Sequence, residues 1–269
     1  YIVPGNGDDS GSARYRRALP VAAIGYEPAA GTRLYASYGR GFETPTLNEI
    51  SYRPGGLPGL NFGLAPALST HVEAGVKTRV GDGLLTAAVF QVSTDDEIVS
   101  AGSSGGRTTF RNAGRTRRDG LELGWSTRFA SQWRAQLAYT WLDARYRDDA
   151  GGGIRAGNRI PGIARQSAFA SLGWAPPQGW QAAIEGRYLS HLYADDANDA
   201  AAPGYAVAAL SAGYIKQIGA WELNAYARVD NLFDRHYAGS VIVNESNGRY
   251  YEPAPGRSVG MGLGVTYRY

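Results

Sequence analysis

The sequence predicts an all-β protein, an antiparallel transmembrane β-barrel segment with about eleven to twelve strands in this chain. Three observations carry that expectation: strict two-residue alternation, segments longer than ordinary soluble strands, and connections that alternate between short and long. The closing stretch "VGMGLGVTYRY" (259–269) shows the first. Val259, Met261, Leu263, Val265, Tyr267 and Tyr269 are apolar or aromatic, whereas Gly260, Gly262, Gly264, Thr266 and Arg268 are small or polar. Successive strand residues point to opposite faces, so one face meets a greasy medium and the other something small or wet.

The same pattern recurs upstream. Trp133, Ala135, Leu137, Tyr139 and Trp141 alternate with Arg134, Gln136, Ala138 and Thr140. Leu121, Leu123, Trp125 and Phe129 alternate with Glu122, Gly124, Ser126 and Arg128, and Trp221, Leu223, Ala225 and Val229 with Glu222, Asn224, Tyr226 and Arg228. A soluble sandwich also alternates, but its strands average about five or six residues. Here the segments run to about ten or more, the length a tilted strand needs to cross hydrocarbon. Alternation places strands near 18–27, 32–40, 69–80, 84–98, 107–129, 132–146, 165–175, 179–193, 204–217, 220–230 and 257–269.

Short turns lie at 28–31, 81–83, 130–132, 176–179 and 218–220, and long polar links at 40–68, 100–106, 147–165, 194–203 and 231–256. Outer-membrane barrels have this arrangement, with short periplasmic turns and longer extracellular loops. The predicted number is odd, and the first and last strands run in the same direction, so they cannot pair antiparallel to close a barrel. The expectation is therefore a C-terminal portion of a larger barrel. Residues 1–3 are a candidate stub of a further strand, and a chain opening on Tyr1 with no signal peptide agrees with a fragment.

Composition excludes other classes. Only 43% of the 269 residues are hydrophobic, with 37 Gly, and no apolar run reaches the roughly 18–20 residues of a membrane helix. With no Cys there is neither a disulfide framework nor a thiolate metal site. The net charge of +3 comes from scattered Arg without a stripe, which argues against nucleic acid as a partner.

Four stretches in order resemble the C-terminal half of the barrel of a TonB-dependent outer-membrane receptor of ferric-siderophore type: "YASYGRGFETPTLNEI" (35–50), "FRNAGRTRRDGLELG" (110–124), "VDNLFDRHYAG" (229–239) and the terminal aromatic Tyr269. The resemblance implies a twenty-two-stranded barrel in the bacterial outer membrane, plugged by an N-terminal domain that the TonB complex pulls to admit a scarce nutrient. The plug and the TonB-contacting segment are absent from this sequence. Tyr267 and Tyr269 then resemble the barrel-assembly signal, and interfacial aromatic anchors are the plainer reading. No cofactor is expected, iron entering only within a transported chelate.

In "NLFDRHYAG", Asn231, Asp234 and Tyr237 are expected to build a bend. In "FETPTLNE", Thr44, Pro45 and Asn48 break a strand, and Glu43 and Glu49 can meet lumenal Arg. Ferric siderophores are bulky and often anionic, so a vestibule would offer Arg for charge and aromatic rings for apolar contact. Loop residues of those types are Tyr52, Arg53, Phe62, Arg107, Tyr146, Arg147, Arg155, Arg159, Tyr193, Arg249, Tyr250 and Tyr251. Arg111, Arg115, Arg117 and Arg118 occupy both parities of one strand, so part of the cluster must rise above the bilayer or a bulge must intervene. Its readings are contact with acidic plug or lumenal groups, with lipopolysaccharide phosphate, or with substrate.

His71, His191 and His236 are not expected to assemble with a nucleophile and orienting acid, so catalysis is not expected. The acidic run at 195–199 lacks a calcium-loop signature and reads as a solvated loop, and the Gly-rich 148–157 stretch reads as a flexible one. The rivals are a small unplugged porin-like channel and an outer-membrane enzyme.

Overall fold

The structure is a computed structural model describing residues 2–3, 7–104 and 107–268. Its centre is one 11-stranded antiparallel sheet in which every strand pairs with its sequence neighbours. We number these strands β1 (Val21–Ala29), β2 (Thr32–Glu43), β3 (Ala67–Val80), β4 (Gly83–Asp95), β5 (Thr116–Phe129), β6 (Trp133–Tyr146), β7 (Gln166–Trp174), β8 (Gly179–Leu189), β9 (Tyr205–Ile218), β10 (Trp221–Asp230) and β11 (Ser258–Tyr267). All eleven predicted segments are present. Within the described residues the sheet is open, with β1 and β11 as its edges. Ile2–Val3 pairs with Gly7–Asp8 in a hairpin of its own and not with the sheet, so the stub is not a wall strand. Tyr269 lies outside the described residues.

Register turns the alternation into two continuous faces, because directly opposed residues of an antiparallel pair share a face. One row runs Leu263, Ala225 and Tyr214 to Trp180. Another runs Gly186, Ala170, Leu137, Trp125 and Leu85. This face is apolar and bare: Leu137 is 50% and Leu263 88% exposed. Soluble proteins do not leave so large a contiguous apolar surface in water. No helix among the described residues is long and apolar enough to cross a membrane, and the strands are the elements with a greasy exterior.

Aromatic residues bracket that face. At the short-turn end Phe129 stacks on Trp133 at 6.0 Å, Trp180 meets Tyr214 at 5.1 Å and Trp221 meets Tyr267 at 4.9 Å. This places Tyr267 in the interfacial belt. Tyr38, Tyr139, Trp141 and Tyr188 share the outward face towards the long-loop end. From Trp133 to Trp141 the strand climbs about 26 Å, or about 20 Å along the membrane normal at a tilt of about 40°, close to the apolar band of a barrel.

The inward face is polar and stitched across strands. Tyr35 donates to Glu73 at 2.6 Å, and Arg228 binds Glu185 at 2.7 Å and Asp230 at 2.8 Å. Small residues there have a packing reason. Gly75, Gly120 and Gly262 lie directly opposite Tyr35, Phe90 and Tyr226, and a Cβ on each would stand 2.1–2.7 Å from the facing ring. The ring of one strand covers the bare backbone of the next, which secures register where a glycine offers no side chain.

Several sequence expectations are corrected. The 107–129 segment is not one strand: Arg107–Asn112 pairs with Ile98–Ser104 in an extramembrane hairpin, and β5 begins only at Thr116. Gly114, with φ of 72°, turns the chain between them. Strand β4 likewise ends at Asp95, and β8 at Leu189, with Leu192–Tyr193 pairing separately to Ala201–Ala202. The 40–68 link holds a short helix, α1 (Leu47–Ile50), whose Thr46 and Glu49 form a reciprocal capping box. Glu49 is thereby spent on the cap and not on a lumenal Arg. As expected, Asn231 and Asp234 make the 231–237 bend: both have positive φ, and the Asn231 side chain bonds both backbone groups of Arg235.

Leu137→Arg is expected to impair assembly, because a cation at mid-bilayer costs about 2–4 kcal/mol, while Gln136→Arg on the inward face is tolerated. Heat-modifiable electrophoretic mobility in outer membranes reads both variants, and equal tolerance would contradict the assigned faces.

Candidate ligand vestibule

The long connections form a folded layer above the inward face. Its core is Ala113, Ala144, Tyr146, Ile154 and Ile160, with Leu142 and Val99 packed against it. Two polar nodes organise it. In the first, Asn112 donates to the Ala65 and Asp96 carbonyls at 2.9 and 2.8 Å and accepts from the Ala65 N–H at 2.9 Å. Asn61 adds a bond to the Phe110 carbonyl at 3.3 Å. The 44–66 link is thus pinned to the 98–112 hairpin by side chain to backbone bonds.

The second node joins three loops. Buried Asp196 accepts from the Tyr146 hydroxyl at 2.7 Å and from the Asn244 amide at 3.0 Å, while Asn244 accepts from the Asp196 N–H at 3.0 Å. Burial pushes the Asp196 carboxyl above its ordinary range, against the stabilising bonds from Tyr146 and Asn244. Burial, together with the Asp196 charge, also raises Tyr146. The acidic run is therefore not merely solvated. Asp195 in turn accepts from the backbone of Asp199 and Ala200. Nor is 148–157 slack: Arg111 grips the Ala150 and Gly151 carbonyls, and the bidentate Arg115 holds Asp148 down at about 2.

Between the 50–60 stretch and the 98–112 hairpin lies a cavity of about 970 Å³. Tyr52, Arg53, Leu57 and Leu60 line one side, Arg107 and Thr109 the other, and Ser246 reaches it from the last long loop. The Arg107 guanidinium lies 5.1 Å from the Tyr52 ring centroid. Arg53 donates to the Pro58 carbonyl at 3.4 Å. Cation and ring together suit a bulky anion with apolar parts.

Of the residues singled out in the sequence, Tyr52, Arg53 and Arg107 come together there. Phe62 packs against Gly11 instead. Tyr146 is 1% exposed and serves the loop latch. Arg147, Arg155 and Arg249 are exposed on other loops, Tyr193 sits edge-on to His191, and Tyr250 and Tyr251 contact each other. Arg159 lies beside Asp143 on the outer wall. The Arg cluster divides: Arg118 binds Glu97 at 2.6 Å on the inward side, and Arg117 binds Asp119 at 2.9 Å on the outward side. Asn61, Asn112, Asp196 and Asn244 were not singled out as builders of the site. A second depression of about 800 Å³, lined by Leu123, Trp125, Leu137 and Tyr188, faces lipid.

The histidines are distributed differently from expectation in one respect. Ser69 Oγ and His71 Nε2, two residues apart on the inward face, lie 2.8 Å apart. The pair stands exposed, whereas His191 and His236 lie on separate loops.

The family profile described as "TonB dependent receptor-like, beta-barrel" matches residues 3–232. The chain belongs to this family. It is a bacterial outer-membrane protein, and its relatives are named as receptors. It is similar to the pesticin receptor of Yersinia enterocolitica, 25% identical over 262 residues, covering 96% of this chain and 37% of the relative. It is also similar to the ferrioxamine B receptor of Salmonella typhimurium, 28% identical, covering 81% of this chain and 30% of the relative. The chain thus spans about a third of the length of these relatives. Among solved structures, the ferric yersiniabactin uptake receptor FyuA of Yersinia pestis superposes with a TM-score of 0.71 at 22% identity, over 93% of this chain and 37% of that one. The copper transporter OprC superposes at 0.73 with 21% identity, over 93% and 39%.

Asp196→Ala is expected to open the latch, since a buried group left without its partner costs about 1–3 kcal/mol. Hydrogen exchange should show about tenfold or more faster exchange in 148–163 and 242–247. The raised Asp196 value fixes the pH sign: the closed latch holds its proton more tightly than the opened one. Its contribution is full below the ordinary carboxyl range and is lost as pH rises through the raised value. Asp196→Asn should flatten that dependence.

Proposed function

We propose that this chain forms the C-terminal wall and part of the extracellular vestibule of a receptor for ferric siderophores. The observation that carries the reading is the cavity in which Arg53, Arg107 and Tyr52 present charge and ring together. Its size suits a bulky chelate. Similar proteins named as receptors for ferrioxamine B and ferric yersiniabactin support the substrate class. A soft-ligand path for bare copper has little to draw on here, since the chain has no Cys and its one Met, Met261, is on the lipid face.

Transport requires what lies elsewhere in such a receptor. We infer a twenty-two-stranded barrel in which the open edges β1 and β11 find partner strands, an N-terminal plug inside it, and coupling to the TonB complex through that plug. The inward charges Glu73, Glu122, Arg187 and Arg228 would face the plug. Iron is cargo here, carried within its chelate. An uncoupled channel is the rival, and coupling distinguishes the two.

The test uses the full-length protein that carries this chain, with ferric yersiniabactin and ferrioxamine B as probes. One of them is expected to bind, and Arg107→Ala with Arg53→Ala to weaken binding at least about tenfold, roughly 1.4 kcal/mol. Uptake should vanish in cells lacking TonB. Passage of small solutes independent of TonB, with neither chelate bound, would establish the channel instead.

A further inference from the structure

The outward face gathers its cluster of charge towards the long-loop end. Above Trp141 on β6 come Asp143 and Arg145, and register sets them directly opposite Asp119 and Arg117 of β5. Arg159 bridges back to Arg145, its Nη2 3.8 Å from Asp143 Oδ1. Arg165 lies with its guanidinium 5.4 Å from the Trp141 ring centroid. Four guanidinium groups therefore share two carboxylates. Arg117 is spent on Asp119, and Arg145 binds the Oδ2 of Asp143 at 2.8 Å. Asp143 Oδ1 and Arg165 Nε are buried without a hydrogen-bond partner among the described residues.

The inward sides of the same strands differ. There Arg118 is matched by Glu97, and just above it Arg115 by Asp148. At this height on β5 and β6, the surplus of cation lies on the surface that looks away from the lumen. Its height is fixed by Trp141, whose ring belongs at the boundary between hydrocarbon and headgroups. A cation immediately above that boundary stands at the level of lipid phosphates, where each Lys or Arg is attracted by about 1 kcal/mol. Planar guanidinium groups bind phosphate oxygens bidentately, and the apolar wall below, Trp141, Tyr139 and Leu123, offers contact for acyl chains.

We propose that Arg145, Arg159 and Arg165 form a binding site on the outer wall for the phosphate of an outer-leaflet glycolipid, lipopolysaccharide, with its acyl chains lying against Trp141. The site rests on the chain's place in the outer membrane and not on the identity of the transported chelate. A soluble anion is the lesser candidate, because the patch is on the lipid-facing wall, away from the vestibule.

The test uses the full-length protein in detergent and counts bound bisphosphorylated lipid A by native mass spectrometry. The wild-type protein is expected to retain it, to retain dephosphorylated lipid A at least about tenfold less, and to resist displacement by millimolar inorganic phosphate. Arg145→Gln, Arg159→Gln and Arg165→Gln combined should lower retention at least about tenfold, and Asp143→Asn should maintain or raise it. If the triple variant fails to assemble by heat-modifiable mobility, Arg165→Gln alone should give about a threefold loss. Undiminished retention in these Arg variants, a loss with Asp143→Asn, or displacement by inorganic phosphate would overturn the proposal. Ferric-chelate uptake is expected to survive the Arg variants, so failure of the uptake reading and failure of this one are separable.

Discussion

Every feature of this chain depends on one constraint: inside hydrocarbon a backbone N–H or C=O has no water to bond and must pair with backbone. Ten antiparallel pairings meet it across the sheet, nine of them without a register shift. Pairing forces the side chains into two populations, and the bilayer then decides which residues each population can hold. Leu263 can be 88% exposed without penalty only because its surroundings are acyl chains. Conversely, Arg228 is tolerable at the same depth because it faces inward, where Glu185 and Asp230 meet it. Glycine, usually a liability in a strand, becomes useful where a ring from the next strand must lie flat on the backbone.

Once the strands leave the bilayer the constraint relaxes, and the chain changes its means of support. Above β6, water is available again, yet the loops bury Tyr146, Ile154 and Ala113 as a small core of their own. Its polar backbone groups are served by Asn and Asp side chains, which reach between loops distant in sequence. Asn112 touches Ala65, and Asp196 touches both Tyr146 and Asn244. The vestibule is therefore held by a few directional bonds, in contrast to the ladder that holds the wall.

That contrast explains what the sequence made legible. The wall announces itself because a periodicity of two, repeated at membrane length, is a local signal: ten of the eleven strands could be placed to within a few residues. The break between Asn112 and Thr116 was hidden, since the chain is extended on both sides of it and the two strands are parted by only three residues. Its trace was the mixed parity of Arg111, Arg115, Arg117 and Arg118, which no continuous strand could carry into one lumen. The loop layer was largely illegible. Tyr52 and Arg53 could be chosen by chemistry, but their approach to Arg107 depends on Asn61 and Asn112, whose partners lie 49 and 47 residues away. Tyr146 fitted the same chemical description and is instead buried, because burial in the loops follows from contacts that leave no periodic mark.

The division of labour also bears on specificity. Solved relatives at 22% and 21% identity share this wall with TM-scores of 0.71 and 0.73, yet one is named for ferric yersiniabactin and the other for copper. A ladder of backbone bonds is indifferent to most side chains, so the wall persists while its sequence drifts. The vestibule has no such indifference. Moving Arg107 relative to Tyr52 requires only a change in the hairpin or in the bonds of Asn112, none of which reaches the bilayer. On the proposed reading of the cavity, ligand choice changes by loop substitution without endangering insertion. The membrane's demand for complete backbone pairing is what leaves the extramembrane layer free to vary.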